Sequence, residues 1–121
     1  MKIRPERVAQ RMRREVAEIL EAKLRDPRIT GMVSVTDVEV NKDLTLAIVF
    51  VSVLATEEEA EKTLQVLAHA APFVRHELAQ RLGLREMPEV RFKLDTSIQH
   101  GARVDELLRK LRDHEPLEDS D

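Results

Sequence analysis

Between residues 5 and 24 the apolar side chains Val8, Met12, Val16, Ile19, Leu20 and Leu24 recur at steps of three and four, broken only by the adjacent pair Ile19-Leu20. That spacing keeps them on one face of an α-helix. Pro5 suits the first helical turn, where a missing N–H costs little, and Asp26-Pro27 stops the helix because a residue preceding proline avoids helical angles. After Gly31 the period shortens to two. Residues 33–40 (VSVTDVEV) are rich in β-branched side chains, but their alternation changes parity between Val35 and Val38, which predicts a bulge near Thr36 or Asp37. Asn41-Lys42-Asp43 predicts a hairpin turn, and LTLAIVFVSVL behind it is the strongest strand signal in the chain. On that strand Leu44, Leu46, Ile48 and Phe50 line one side. Ala47, Val49, Val51 and Val53 line the other, which is more apolar than an exposed face favours.

Thr56 before Glu57, Glu58 and Glu59 predicts a helix start, with acids where the helix dipole favours them. Ala60, Leu64, Leu67 and Ala71 form its inner stripe. Pro72 then falls inside a helical pattern and predicts two helices meeting at a corner, Ala70, Ala71 and Pro72, with Val74, Leu78 and Leu82 starting the second stripe and Gly83 ending it. In MPEVRFKLD, Val90, Phe92 and Leu94 alternate with Glu89, Arg91, Lys93 and Asp95, a strand with a charged outer side. Ser97 caps a short last helix containing Val104, Leu107, Leu108 and Leu111. The expected class is α+β: a three-stranded sheet covered by helices on one face, with residues 1–112 as one domain and 113–121 as an acidic, disordered tail.

Charge changes this picture by its distribution. The chain has 121 residues and a net charge of −3, which by itself argues against a nucleic-acid partner. Residues 1–28, however, carry nine Lys/Arg against five Asp/Glu, residues 29–71 two against seven, and residues 72–112 nine against six. The last nine residues hold five acids and no Lys or Arg. Two basic ends therefore surround an acidic middle. With no cysteine there is no disulfide and no thiol chemistry. No apolar run reaches a membrane-spanning length, and the default expectation is a cytoplasmic protein.

Candidate catalytic chemistry is sparse. His69 and His76 are seven residues apart, but a corner between them would break their register, and no His-Glu-x-x-His zinc pattern occurs. Asp95, Ser97 and His100 crowd together without a nucleophile turn, so Ser97 reads as a helix cap. The glutamates from Glu57 to Glu61 point around a helix and do not converge on a cation. The three glycines are too far apart for a phosphate-cradling loop. The residues predict no enzyme, no cofactor and no metal.

The sharper signal is arginine. Arg4, Arg7, Arg11 and Arg14 are spaced by three, four and three, with no acid on their stripe until Glu18. Arginine forks match phosphate oxygens, and helical spacing tracks a groove edge. Arg75, Arg81 and Arg85, with Arg91 and Lys93, make a second basic group. Aromatics are only 2 %, all Phe, so backbone and shape of structured RNA suit this surface better than stacked single-stranded bases. The rival reading is a protein–protein adaptor or dimer docking through Val49, Val51 and Val53.

The element order is that of the type II KH fold, and RVAQRMRREVAEIL, LRDPRITGMVSVTDVEVNKDLTLAIVFVSVL, FVRHELAQRLGLREMPEVRFKLDTSI and HGARVDELL resemble, in order, the ribosome-binding factor A family. The resemblance implies an αββααβ KH-like domain that binds 16S rRNA and the small ribosomal subunit without catalysis. It further implies late maturation near the 16S 5′ end, removal by a ribosome-associated GTPase, and a monomer off the ribosome. The family has an Ala-x-Gly corner where this chain has Ala70-Ala71-Pro72. A proline there supplies no amide donor, which moves the expected RNA contacts onto Arg4, Arg7, Arg11, Arg14, Arg75, Arg81 and Arg85.

Overall fold

A computed structural model describes residues 4–22 and 32–96. The helix stop at Asp26-Pro27, Leu24, Gly31, the helix from Ser97 with His100, and the tail 113–121 lie outside the described residues. The described elements follow the order α1 (Pro5–Ala22), β1 (Met32–Val40), β2 (Leu46–Leu54), α2 (Glu57–Leu82) and β3 (Glu89–Leu94). This is the expected α+β architecture with a three-stranded sheet, in strand order β1-β2-β3.

β1 and β2 pair antiparallel, and their register shifts between Val35 and Asp37, so the parity change in the sequence is a bulge at Thr36. The turn is held by Asn41, whose Oδ1 accepts from the amides of Thr45 at 2.9 Å and Leu46 at 3.1 Å. Leu44 adopts a φ of 58° in that turn, so the strand proper begins two residues later than the apolar run. β2 and β3 pair in parallel. A parallel partner requires a crossover, and α2 provides it.

Both helices lie on one side of the sheet. Val8, Met12, Val16 and Ile19 of α1, Ala60, Leu67, Val74 and Leu78 of α2, and Ala47, Val49, Val51 and Val53 of β2 form a single buried cluster. Val49 and Val51 are 0 % exposed and Val53 1 %. These valines are therefore core residues and not a docking face, which removes the support that the adaptor reading drew from them. Each contributes about 1.5–2 kcal/mol by leaving water. The other side of β2, with Leu46, Ile48 and Phe50, is half-buried and faces away from the helices.

The expected corner at Ala70, Ala71 and Pro72 does not interrupt α2, which runs from Glu57 to Leu82 with Pro72 inside it. The described order is thus αββαβ. Two features make the proline tolerable. Pro72 lies on the exposed side, and Ala68, whose carbonyl loses its i+4 donor, is exposed too, so water can satisfy it. The buried stripe also keeps its register across the proline, since Leu67, Val74 and Leu78 are all buried at helical spacing. Both ends are capped as the sequence predicts. Thr56 and Glu59 form a capping box, and Gly83 closes the helix at φ 64°, donating to the carbonyl of Ala79 at 3.2 Å.

Candidate nucleic-acid interface

α1 places its arginines on solvent because its apolar stripe fixes which way the helix faces. Arg4, Arg7, Arg11 and Arg14 are all exposed. Arg4 sits just ahead of the helix, where its carbonyl accepts from the amides of Arg7 at 3.1 Å and Val8 at 3.2 Å. Arg7, Arg11 and Arg14 border one open groove of about 680 Å³, whose other wall is Leu82, Gly83 and Leu84 at the end of α2. A groove so lined suits an anionic ligand with extended shape.

The end of α2 brings a complication. Its carbonyls carry the negative end of the helix dipole, which disfavours phosphate. Arg11 offsets this, since its Nη2 donates to the carbonyl of Arg81 at 2.9 Å. That bond also ties α1 to α2. Arg11 therefore acts as both a strut and a local positive charge.

The second arginine group divides. Arg81 faces Glu18 at 3.1 Å and Glu15 at 3.4 Å through Nη1, so its charge is compensated. Desolvation lowers its pKa, but hydrogen bonds and charge from Glu18 and Glu15 outweigh it and leave the guanidinium raised above its ordinary value. Arg75 spans the connection ahead of β3, its Nε donating to the carbonyl of Pro88 at 3.0 Å and its Nη2 to that of Met87 at 2.7 Å. It thus secures the loop that delivers β3. Arg85 is exposed in that same connection, next to the groove residue Leu84. Of the seven arginines predicted from sequence, the groove gathers Arg7, Arg11 and Arg14, while Arg75 and Arg81 bind within the fold.

Sequence reasoning missed Arg13. With Gln10, Arg14, Ala17 and Val35 it borders a further hollow of about 410 Å³. The stripe at steps of three and four leaves it out because residue 13 falls on the flank of the helix beside β1. The signal available was the doublet Arg13-Arg14, which spreads charge around the cylinder.

Continuity of α2 also changes the histidine geometry. His69 and His76 both lie on its exposed side, two turns apart and so about 10.5 Å along the axis. That is too far for a shared ion, and no metal-holding cluster of His, Cys, Asp or Glu occurs among the described residues. Asp95 is engaged by Thr36, whose Oγ1 donates to its Oδ2 at 2.6 Å across the central strand. No helix among the described residues is long and apolar enough to cross a membrane.

The family model of ribosome-binding factor A matches residues 4–108. Among solved structures, a candidate ribosome-binding factor A of Thermotoga maritima is 35 % identical, with 80 % of this chain and 92 % of that one covered and a TM-score of 0.69. The crystal structure of ribosome-binding factor A from Thermus thermophilus is 27 % identical, with coverages of 76 % and 97 % and a TM-score of 0.66. A homology model of the Thermus thermophilus factor, fitted into a cryo-EM map of a 30S complex, is 30 % identical over 73 % of this chain and 91 % of that one, with a TM-score of 0.60.

Proposed function

The chain belongs to the ribosome-binding factor A family, and from that premise we propose that it binds the small ribosomal subunit through 16S rRNA, with α1 as the contacting element. The observation that carries this reading is the convergence of Arg7, Arg11 and Arg14 on one groove. Phosphate is the ligand chemistry that such a set fits, because guanidinium groups at helical spacing can each engage successive backbone phosphates. Arg4, Arg13 and Arg85 extend the positive surface at its ends. The role is non-catalytic: the groove holds arginine, glutamine and aliphatic side chains, with no base or nucleophile among its lining.

The same reading takes the domain as a variant of the type II KH fold in which the usual glycine clamp is replaced by the solvent face of α2. It includes assistance to late maturation near the 16S 5′ end and removal by a ribosome-associated GTPase. Binding to purified small subunits across a salt series tests the contact. Affinity is expected to fall steeply, with log K declining by about one unit per log unit of salt for each phosphate engaged. A salt-independent affinity, or equal affinity for large subunits, would overturn it.

A further inference from the structure

The side of the sheet away from the helices carries an order of its own. Alternation puts Leu46, Ile48, Phe50 and Leu54 of β2 there, with Ser52 among them; the four apolar residues are half-buried, and none belongs to the cluster that packs under the helices. Strand register sets the flanks. Glu39 and Arg91 lie on either side of Ile48, and Asp37 and Lys93 on either side of Phe50. All four charged residues are exposed. Two successive rows therefore read acid, apolar, base. Beyond the polar pair Ser34–Ser52 on the same side, Met32, 67 % exposed, pairs with Leu54 and adds a second, smaller apolar spot.

Such a face is complementary to itself. Turn a copy by half a revolution about an axis parallel to β2 and lay it on the first, at the roughly 10 Å spacing of packed sheets. Glu39 of each copy then lies over Arg91 of the other, Asp37 over Lys93, Ile48 over Ile48 and Phe50 over Phe50. We propose that this face is an isologous docking surface for a second copy of the chain, separate from the arginine groove on the helix layer. An RNA does not fit it, because the row of Asp37 and Glu39 repels phosphate.

The contacts these residues make within one molecule leave the exchange cheap. Arg91 Nε meets Glu89 Oε2 at 2.5 Å, an exposed pair of the kind that contributes little. Asp37 accepts from the amide of Val38 through Oδ1 at 2.8 Å, and its second oxygen is bonded to no other described residue. Three strands by six residues make a face of about 15 by 20 Å. That is well short of the roughly 800 Å² per partner of a standard interface. The dimer is accordingly weak, forms only at high concentration and loosens with salt, so that the expected monomer prevails in dilute solution.

Sedimentation equilibrium of the full chain at low salt tests this with two charge-reversed forms, Asp37→Lys/Glu39→Lys and Arg91→Glu/Lys93→Glu. The unaltered chain is expected to self-associate, each variant alone to weaken by about tenfold or more, and an equimolar mixture of the two to regain association, since the four residues flanking Ile48 and Phe50 are then all basic on one face and all acidic on the other. A mixture that stays monomeric while both variants remain folded by circular dichroism overturns the proposal. Should either variant fail to fold, amide NMR shifts of the unaltered chain on dilution decide. They should move along Asp37, Glu39, Ile48, Phe50, Arg91 and Lys93 and not along α1, and concentration-independent shifts overturn the proposal equally.

Discussion

Arginines that look alike in the chain do different things in the fold, and the difference is set by what each guanidinium reaches. Arg75 donates to two loop carbonyls and Arg81 faces two glutamates, whereas Arg7 and Arg14 make no side-chain bond to another described residue. Arg75→Ala is expected to lower stability by about 1 kcal/mol, measured by urea unfolding, and to leave the salt dependence of subunit binding unchanged. A lowered salt slope with unchanged stability would reverse that assignment. Thr63 is a contrasting case at the same scale. It is 0 % exposed, and its hydroxyl finds no partner among the described residues. Thr63→Val keeps the shape and removes the orphan group, so it should stabilise the fold by about 1 kcal/mol; destabilisation would mean that the hydroxyl has a partner in solution.

Among the elements, α2 best separates what was legible from what was not. Its caps were legible, because Thr56, Glu59 and Gly83 are local signals whose chemistry acts within four residues. Pro72 reads locally as a breaker, whereas the spacing of Leu67, Ala71, Val74 and Leu78 runs unbroken across it. A true corner resets the buried stripe, and here nothing resets. Pro72→Ala restores a hydrogen bond on an exposed face and should raise stability by about 1–3 kcal/mol, read as a higher Tm. A lower Tm would show that the proline fixes a geometry the fold requires. The bulge at Thr36 was legible from parity alone. Which side of β2 faces the helices was not, because both sides are apolar and the choice depends on where α1 and α2 pack. Met12, 0 % exposed at the heart of that packing, should cost about 2–5 kcal/mol when changed to alanine.

At the scale of the whole molecule, a net charge of −3 conceals a layered arrangement. The helix layer presents arginines, and the side of the sheet away from α1 and α2 presents matched acids and bases. The stripe on α1 was visible in sequence because a single helix has a fixed period. The division of labour among Arg75, Arg81 and Arg85 was not, since it depends on which carbonyls and carboxylates the chain brings near them from residues 15, 18, 87 and 88. The most direct test of the α1 contact is the double variant Arg7→Glu/Arg14→Glu, which spares the strut made by Arg11. Binding to immature small subunits should weaken by about tenfold or more at moderate salt, and the salt slope should fall by about two, one for each lost phosphate contact. Parental affinity and slope in a variant that unfolds at the parental Tm would contradict the assignment of α1 as the RNA-binding face.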